Sequence, residues 1–348
     1  MRRIKVGIIG AGRIGLLHAH NILKSDLLSL QAIADIKIDH LVEGGWQERV
    51  ETITTNVNDV FDHPDIDAVF ICSSTNSHVE YIKKAAFSGK HIFCEKPISF
   101  NLKETKDALN IVEEKEVKFQ AGFNRRYDVH FRKVCESVKE NKVGEPHIIK
   151  ISSRDPAPPT EEYVKHSGGM FMDMTIHDFD MARYLVNSEV VEVSVKAANL
   201  IDPMFLKYDD VDTAIITLTF ENGALAVIDN SRQAVYGYDQ RIEVFGSQGV
   251  VSVDNELQSN LQISTNSGTI SDNPKYFFLE RYKEAYEEEI NCFARSLLEN
   301  LPISCTGKDG YKAELIAYAA KLSLQKKRTI NITELELVQH NAEDAEVL

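Results

Sequence analysis

The sequence predicts an α/β protein: a doubly wound parallel Rossmann-type sheet, followed by an α+β domain with an open, mainly antiparallel sheet. Three observations predict it. Short β-rich runs alternate with helix-period runs through the first third of the chain. A glycine-rich motif, Gly10–Gly15, sits at the first strand–helix junction. After about residue 123 the strands lengthen and the helices between them thin out.

The elements follow in order. Ile4–Ile9 reads as an apolar strand, and Ile14–Lys24 as a helix with Ile14, Leu17, His18 and Ile22 at helical spacing. Leu28–Ala34 is a second strand. Ala68–Cys72 is apolar throughout, as a central parallel strand covered on both faces should be. A helix His78–Ser88 stops at Gly89, followed by strand His91–Cys94, helix Leu102–Glu114 and strand Lys118–Ala121. The helix Val129–Lys139 then leads into strands His147–Ser153, Val190–Leu200, Ala214–Phe220, Ala224–Ser231, Gln240–Gly246 and Gly249–Asp254. Glu221-Asn222-Gly223 and Gly246-Ser247-Gln248-Gly249 are hairpin signals. Helices near Leu279–Glu299 and Lys308–Lys326 close the pattern. The expected division is 1–123 for a nucleotide-binding domain, 124–338 for a second domain, and 339–348 for an acidic, aperiodic tail.

Composition narrows the function. The 348 residues are 43% hydrophobic and 26% charged, which suits two globular domains. A net charge of −14 disfavours nucleic acid and anionic membranes. No apolar run reaches bilayer length, and no signal-peptide pattern follows Met1. Cys72, Cys94, Cys135, Cys292 and Cys305 are odd in number and lack CxxC spacing. They are expected to be free thiols in a cytoplasmic protein, with no disulfide framework and no zinc site.

Gly10-Ala11-Gly12-Arg13-Ile14-Gly15 follows a strand and opens a helix, the context that a dinucleotide fingerprint requires. Gly10 permits the turn, Gly12 the approach of a pyrophosphate, and Gly15 close helix–strand packing; Arg13 and Ile14 complete the loop. Asp35 ends the second strand. It would bond ribose hydroxyls and repel a 2′-phosphate, which favours NAD over NADP, although Lys37 nearby could tolerate that phosphate. Ser73, Thr75, Asn76 and His78 follow a central strand, at the position of the ligand crevice; Ser, Thr and Asn there could equally cap the next helix.

Glu95-Lys96-Pro97 follows the strand His91–Cys94. A Lys at that strand end can polarise a reacting oxygen beside a cofactor. Asp173 and His177 are four apart, a spacing that puts both on one face of a helix. Such a pair serves as a metal site or as an acid/base pair. No third ligand of the HExxH kind accompanies it, and the acid/base reading is preferred. Asp178 and Asp180 face elsewhere and are read as solvated or structural.

Together these residues resemble the glucose–fructose oxidoreductase and inositol dehydrogenase superfamily. The resemblance runs from about Ile4 to Ile332. Its marks are the Gly10–Gly15 fingerprint, Glu95-Lys96-Pro97, Gly122-Phe123-Asn124-Arg125-Arg126-Tyr127-Asp128 and Asp173…His177. Ser153-Arg154-Asp155-Pro156-Ala157-Pro158-Pro159 and Tyr236-Gly237-Tyr238-Asp239-Gln240 look like the inositol 2-dehydrogenase branch in particular.

The resemblance implies a cyclic polyol or sugar bound between two domains, often in a tetramer built through the open sheet. Gly10, Gly12, Arg13, Ile14, Gly15, Asp35, Ser73, Thr75, Asn76, His78, Glu95 and Lys96 would hold NAD. His177 would take the hydroxyl proton, Asp173 would orient it, and Lys96 would bond the reacting oxygen, with no metal. Asn124, Arg126, Asp155 and Tyr238 would line the polyol pocket, and Tyr286 is a further candidate. The expected reaction is myo-inositol to scyllo-inosose; scyllo- or chiro-inositol, a pyranose or an anhydrosugar are alternatives. A non-catalytic NAD sensor is the alternative of another class. Against it stands the presence of Lys96, Asp173 and His177 together.

Overall fold

The structure is a computed structural model that describes residues 2–335, so the expected tail lies outside the described residues. The described chain divides into two compact units. One takes in the residues up to Asn124 together with Glu284–Lys312; the other takes in Arg125–Lys283 together with the residues from Ala313 onward.

The first unit holds a six-stranded sheet: β1 (Ile4–Ile9), β2 (Leu28–Ala34), β3 (Thr52–Thr54), β4 (Ala68–Ile71), β5 (His91–Glu95) and β6 (Phe119–Gly122), in the order β3-β2-β1-β4-β5-β6. Every pairing is parallel. All six carboxyl ends therefore share one edge, and the order reverses between β1 and β4, where such sheets bind ligands. β4 is buried at every residue, as its unbroken apolar run requires. β3 has no apolar run, and the sequence pattern did not reveal it.

Phe70 stacks on Phe93 at 4.7 Å between ring centroids, and Phe293 meets both edge-on. Phe293 belongs to the helix Lys283–Leu298, together with Ile290 and Ala294 of the same core. Burying a Phe contributes about 1.5–3 kcal/mol. This packing corrects the expected boundaries: Glu284–Lys312 belongs with the nucleotide-binding unit, not with a single segment 124–338.

The second unit carries β7 (Pro146–Arg154), β8 (Val190–Ala198), β9 (Thr213–Phe220), β10 (Leu225–Ser231), β11 (Asp239–Gly246) and β12 (Gly249–Val253). An exposed hairpin, β13 (Gln262–Thr265) and β14 (Gly268–Ser271), stands apart, and β15 (Ile330–Asn331) joins the sheet edge, in the order β12-β11-β7-β10-β9-β8-β15. Both expected hairpins form, β9–β10 and β11–β12. The one parallel pairing is β7–β10. Residues alternate along the strands: Ile149, Ile151, Ile216, Ile228 and Val244 are buried, while Ile148, Ile215, Leu225 and Phe245 are exposed. Among the described residues, no helix is long and apolar enough to cross a membrane.

Candidate functional site

At the edge of the first sheet the three glycines do different jobs. Gly10 has φ +95°, and a Cβ there would lie 2.4 Å from the Ser73 nitrogen. At Gly15 it would lie 1.9 Å from the Gly10 carbonyl oxygen. A Cβ on Gly12 would meet nothing within 4 Å. No protein atom demands glycine at that position, so the main chain there is open to a ligand. The helix Arg13–Lys24 starts there with no side-chain cap and no acid in its first turn. Its free amides and partial positive charge suit an anion. Arg13 is exposed and Ile14 half-buried.

Asp35 follows β2. Its Oδ2 accepts the Ala11 amide at 2.6 Å and its Oδ1 the Lys37 amide at 2.8 Å. The carboxylate thus braces the glycine-rich loop while placing negative charge at the strand end. The loop, the uncapped helix and the acid fit NAD.

Ser73 Oγ lies 2.7 Å from Ser77 Oγ, and Thr75–Ser77 forms a 3₁₀ turn with Thr75 half-buried and Asn76 exposed. Ser77 precedes the helix His78–Phe87 without capping it through its side chain. The capping explanation for this cluster therefore does not hold. His78 departs from the expected ligand contact: it is buried, with its ring nitrogens 2.8 Å from the Pro97 carbonyl and 3.0 Å from that of Ser73. It ties two crevice loops together. Lys96 follows β5, half-buried, before a cis bond to Pro97.

Glu95 also departs from expectation. Its Oε1 lies 2.8 Å from Nε2 of buried His18, so the carboxylate turns toward a neighbour within the first unit. With Glu289 these residues bring three potential ligand atoms within 4.8 Å of one another. Tyr286, a candidate for the polyol pocket, instead packs edge-on against His18 at 5.8 Å, inside the first unit. Asn124 is buried.

In the second unit, Asp173 and His177 do not share one helix. The helix Met170–Asp173 ends at Asp173, and Ile176–Val186 begins after a turn at Met174 and Thr175. The Thr175 hydroxyl donates to Asn230 Oδ1 at 2.6 Å, and its amide reaches back to the Met170 carbonyl at 2.9 Å. This tertiary bond accompanies the break in the helical ladder, so the expected single helix carrying both residues is corrected to two consecutive ones. Asp173 is held at both oxygens: the Tyr163 hydroxyl donates to Oδ1 at 2.7 Å, and Arg232 Nη1 lies 3.0 Å from Oδ2. His177 is half-buried in the first turn of the next helix.

Arg232 also donates to Asp155 Oδ2 at 3.2 Å. Burial pushes the Asp155 carboxyl up, and the guanidinium pulls it back. Arg126 is not set out to line a pocket. It is buried in a two-bond pair with Asp180, at 2.8 and 2.6 Å. Asp178 is likewise buried and paired with Arg125 at 2.5 Å, so neither Asp178 nor Asp180 is solvated and both are structural. Tyr238 is buried, its hydroxyl accepting from Arg125 at 3.5 Å; burial pushes its pKa upward. Arg232, Tyr163 and Asp210 were not singled out from the sequence. Only strand register brings Arg232, just past β10, beside Asp155, just past β7.

Two family models match the chain: the oxidoreductase family NAD-binding Rossmann fold over residues 4–123, and the GFO/IDH/MocA C-terminal domain over 131–252. The chain is 51% identical to an uncharacterized oxidoreductase, YrbE, of Bacillus subtilis, over 97% of this chain and 99% of that one. It is 45% identical to a myo-inositol 2-dehydrogenase of Thermotoga maritima, over 95% and 99%. A scyllo-inositol dehydrogenase of Lactobacillus casei, solved with bound NAD(H) and scyllo-inositol, is 30% identical with a TM-score of 0.89, over 95% of this chain and 100% of that one.

Proposed function

The chain belongs to the Gfo/Idh/MocA oxidoreductase family, in its inositol dehydrogenase branch, and from that premise we propose that it oxidises a ring hydroxyl of myo-inositol with NAD⁺, giving scyllo-inosose. One observation carries the reading. The chain matches a myo-inositol 2-dehydrogenase over nearly its whole length and has Lys96, Asp173 and His177, the side chains that alcohol oxidation needs.

When bound, NAD⁺ supplies the hydride acceptor. His177 takes the hydroxyl proton, because imidazole titrates near neutrality and matches a general base at working pH. Asp173, gripped by Tyr163 and Arg232, orients the base and the substrate hydroxyls. Lys96 hydrogen-bonds the reacting oxygen and favours its developing negative charge. Asp155 and Tyr238 meet further hydroxyls, and a polyol lacking one would leave a buried polar group unpaired. We further propose a cytoplasmic homo-oligomer, a tetramer, built through the open sheet of the second unit.

Initial rates on myo-, scyllo- and chiro-inositol and on glucose, with NAD⁺ and NADP⁺, test the reading. Myo-inositol with NAD⁺ is expected to give the highest kcat/KM. Lys96→Ala and His177→Ala are each expected to lower kcat by about 10²-fold or more while NADH still binds. NADH formation from glucose but not from myo-inositol would overturn the substrate; undiminished turnover in both variants would overturn the roles.

A further inference from the structure

Two parallel strands end side by side in the second unit. β7 and β10 pair Arg154 with Ser231, so the next residues, Asp155 and Arg232, are neighbours past the strand ends. The main chain there is fixed. The Asp155 amide donates to the Ser231 carbonyl at 2.9 Å, and the Arg232 amide donates to that of Asp212 at 2.8 Å. The Arg232 side chain is 3% exposed. A single nitrogen, Nη1, faces both Asp155 Oδ2 at 3.2 Å and Asp173 Oδ2 at 3.0 Å.

The other two nitrogens of that guanidinium, Nε and Nη2, are buried and have no acceptor among the described residues. Unmet buried donors cost stability. A guanidinium kept for stability alone would have its fork filled, as Arg126 does on Asp180. A third carboxylate, Asp210, is buried in the same neighbourhood, and its Oδ1 accepts the Met170 amide at 2.8 Å. That amide opens the short helix ending at Asp173.

We propose that Arg232 is a positioning residue for oxidation: its one cation keeps the Asp155–Asp173 pair ionised and holds Asp173 in a fixed orientation. The inference rests on the proposed polyol dehydrogenase reading. The two carboxylates are half-buried and share one guanidinium nitrogen; without that cation their mutual repulsion makes one of them keep a proton to higher pH. The groups around them include Arg232, Asp210 and Tyr163, with Arg125 and Tyr238 toward Asp155, and the proposed base His177 four residues along from Asp173. Arg125 is paired with Asp178, and Arg232 is in contact with both carboxylates.

The test is kcat and KM from about pH 5.5 to about pH 9 for wild type, R232K, R232Q and R232Q/D155N. In R232Q the acid limb of kcat/KM is expected to move up by about one pH unit or more, with kcat down by about 10²-fold. R232K keeps the charge and loses the fork, so its limb should lie between wild type and R232Q. R232Q/D155N has one carboxylate fewer, and its limb should return toward wild type, a rescue that a merely structural role would not give. NADH binding is expected to stay unchanged throughout. If R232Q does not fold, R232K and R232K/D155N carry the same comparison. An acid limb unmoved in every active variant, or unrescued by D155N, would overturn the proposal. The reference is wild type with whichever polyol it oxidises; inactivity on myo-inositol alone overturns the substrate reading and not this one.

Discussion

Glu289 is fully buried, and no described residue meets either of its carboxylate oxygens. Burial, and then the nearby charge of Glu95, push its pKa well above the usual carboxylate range. In the unfolded chain the same group ionises at its ordinary value. The native state is therefore unpenalised below the ordinary value and loses stability as pH rises above it. In Glu289→Gln the group cannot ionise. From about pH 5 to about pH 9 its Tm should fall less steeply than that of wild type, read by scanning calorimetry. Equal slopes would mean that Glu289 carries no such penalty. Asp173 illustrates the opposite treatment at the same scale, since a hydroxyl and a guanidinium meet its two oxygens.

The glycine-rich turn separates folding from binding within one element. Gly10 holds a φ of +95° against the Ser73 main chain, and its replacement should destabilise the protein. Gly10→Ala should cost about 2 kcal/mol or more. Gly12 has φ −70° and open space where a Cβ would go, so Gly12→Ala should keep its fold, with stability within about 1 kcal/mol of wild type. Its NADH affinity should nonetheless fall about tenfold or more, or about 1.4 kcal/mol. Thermal melts and NADH fluorescence titrations of the two variants check this. Unchanged NADH affinity in Gly12→Ala would place the dinucleotide elsewhere.

Across the second sheet, Leu225, Ile148, Phe245 and Val250 are paired in turn on β10, β7, β11 and β12, and all four are exposed. A continuous apolar row on an open sheet face is what a subunit interface covers. Ile148→Glu combined with Phe245→Glu should lower the sedimentation coefficient from that of the proposed tetramer to that of a smaller species. An unchanged coefficient would rule this face out as the interface.

The sequence by itself determined that the first unit is a parallel strand–helix alternation, with its nucleotide turn, and it determined the hairpins of the second sheet; the edge strand β3 and the strand order came from the structure. The sequence signals are local: an unbroken apolar run for a covered strand, glycines where a Cβ would collide, and turn residues between alternating strands. It also brought out Lys96, because a residue directly after a central parallel strand lies at the ligand edge whatever follows. Only the tertiary structure decided that Phe293 carries a late helix back into the first core. Only it interrupted the helix between Asp173 and His177, turned Glu95 and Arg126 inward, and set Arg232 between two aspartates. These outcomes depend on register and packing between distant parts of the chain. No local pattern encodes which buried charge will find which partner.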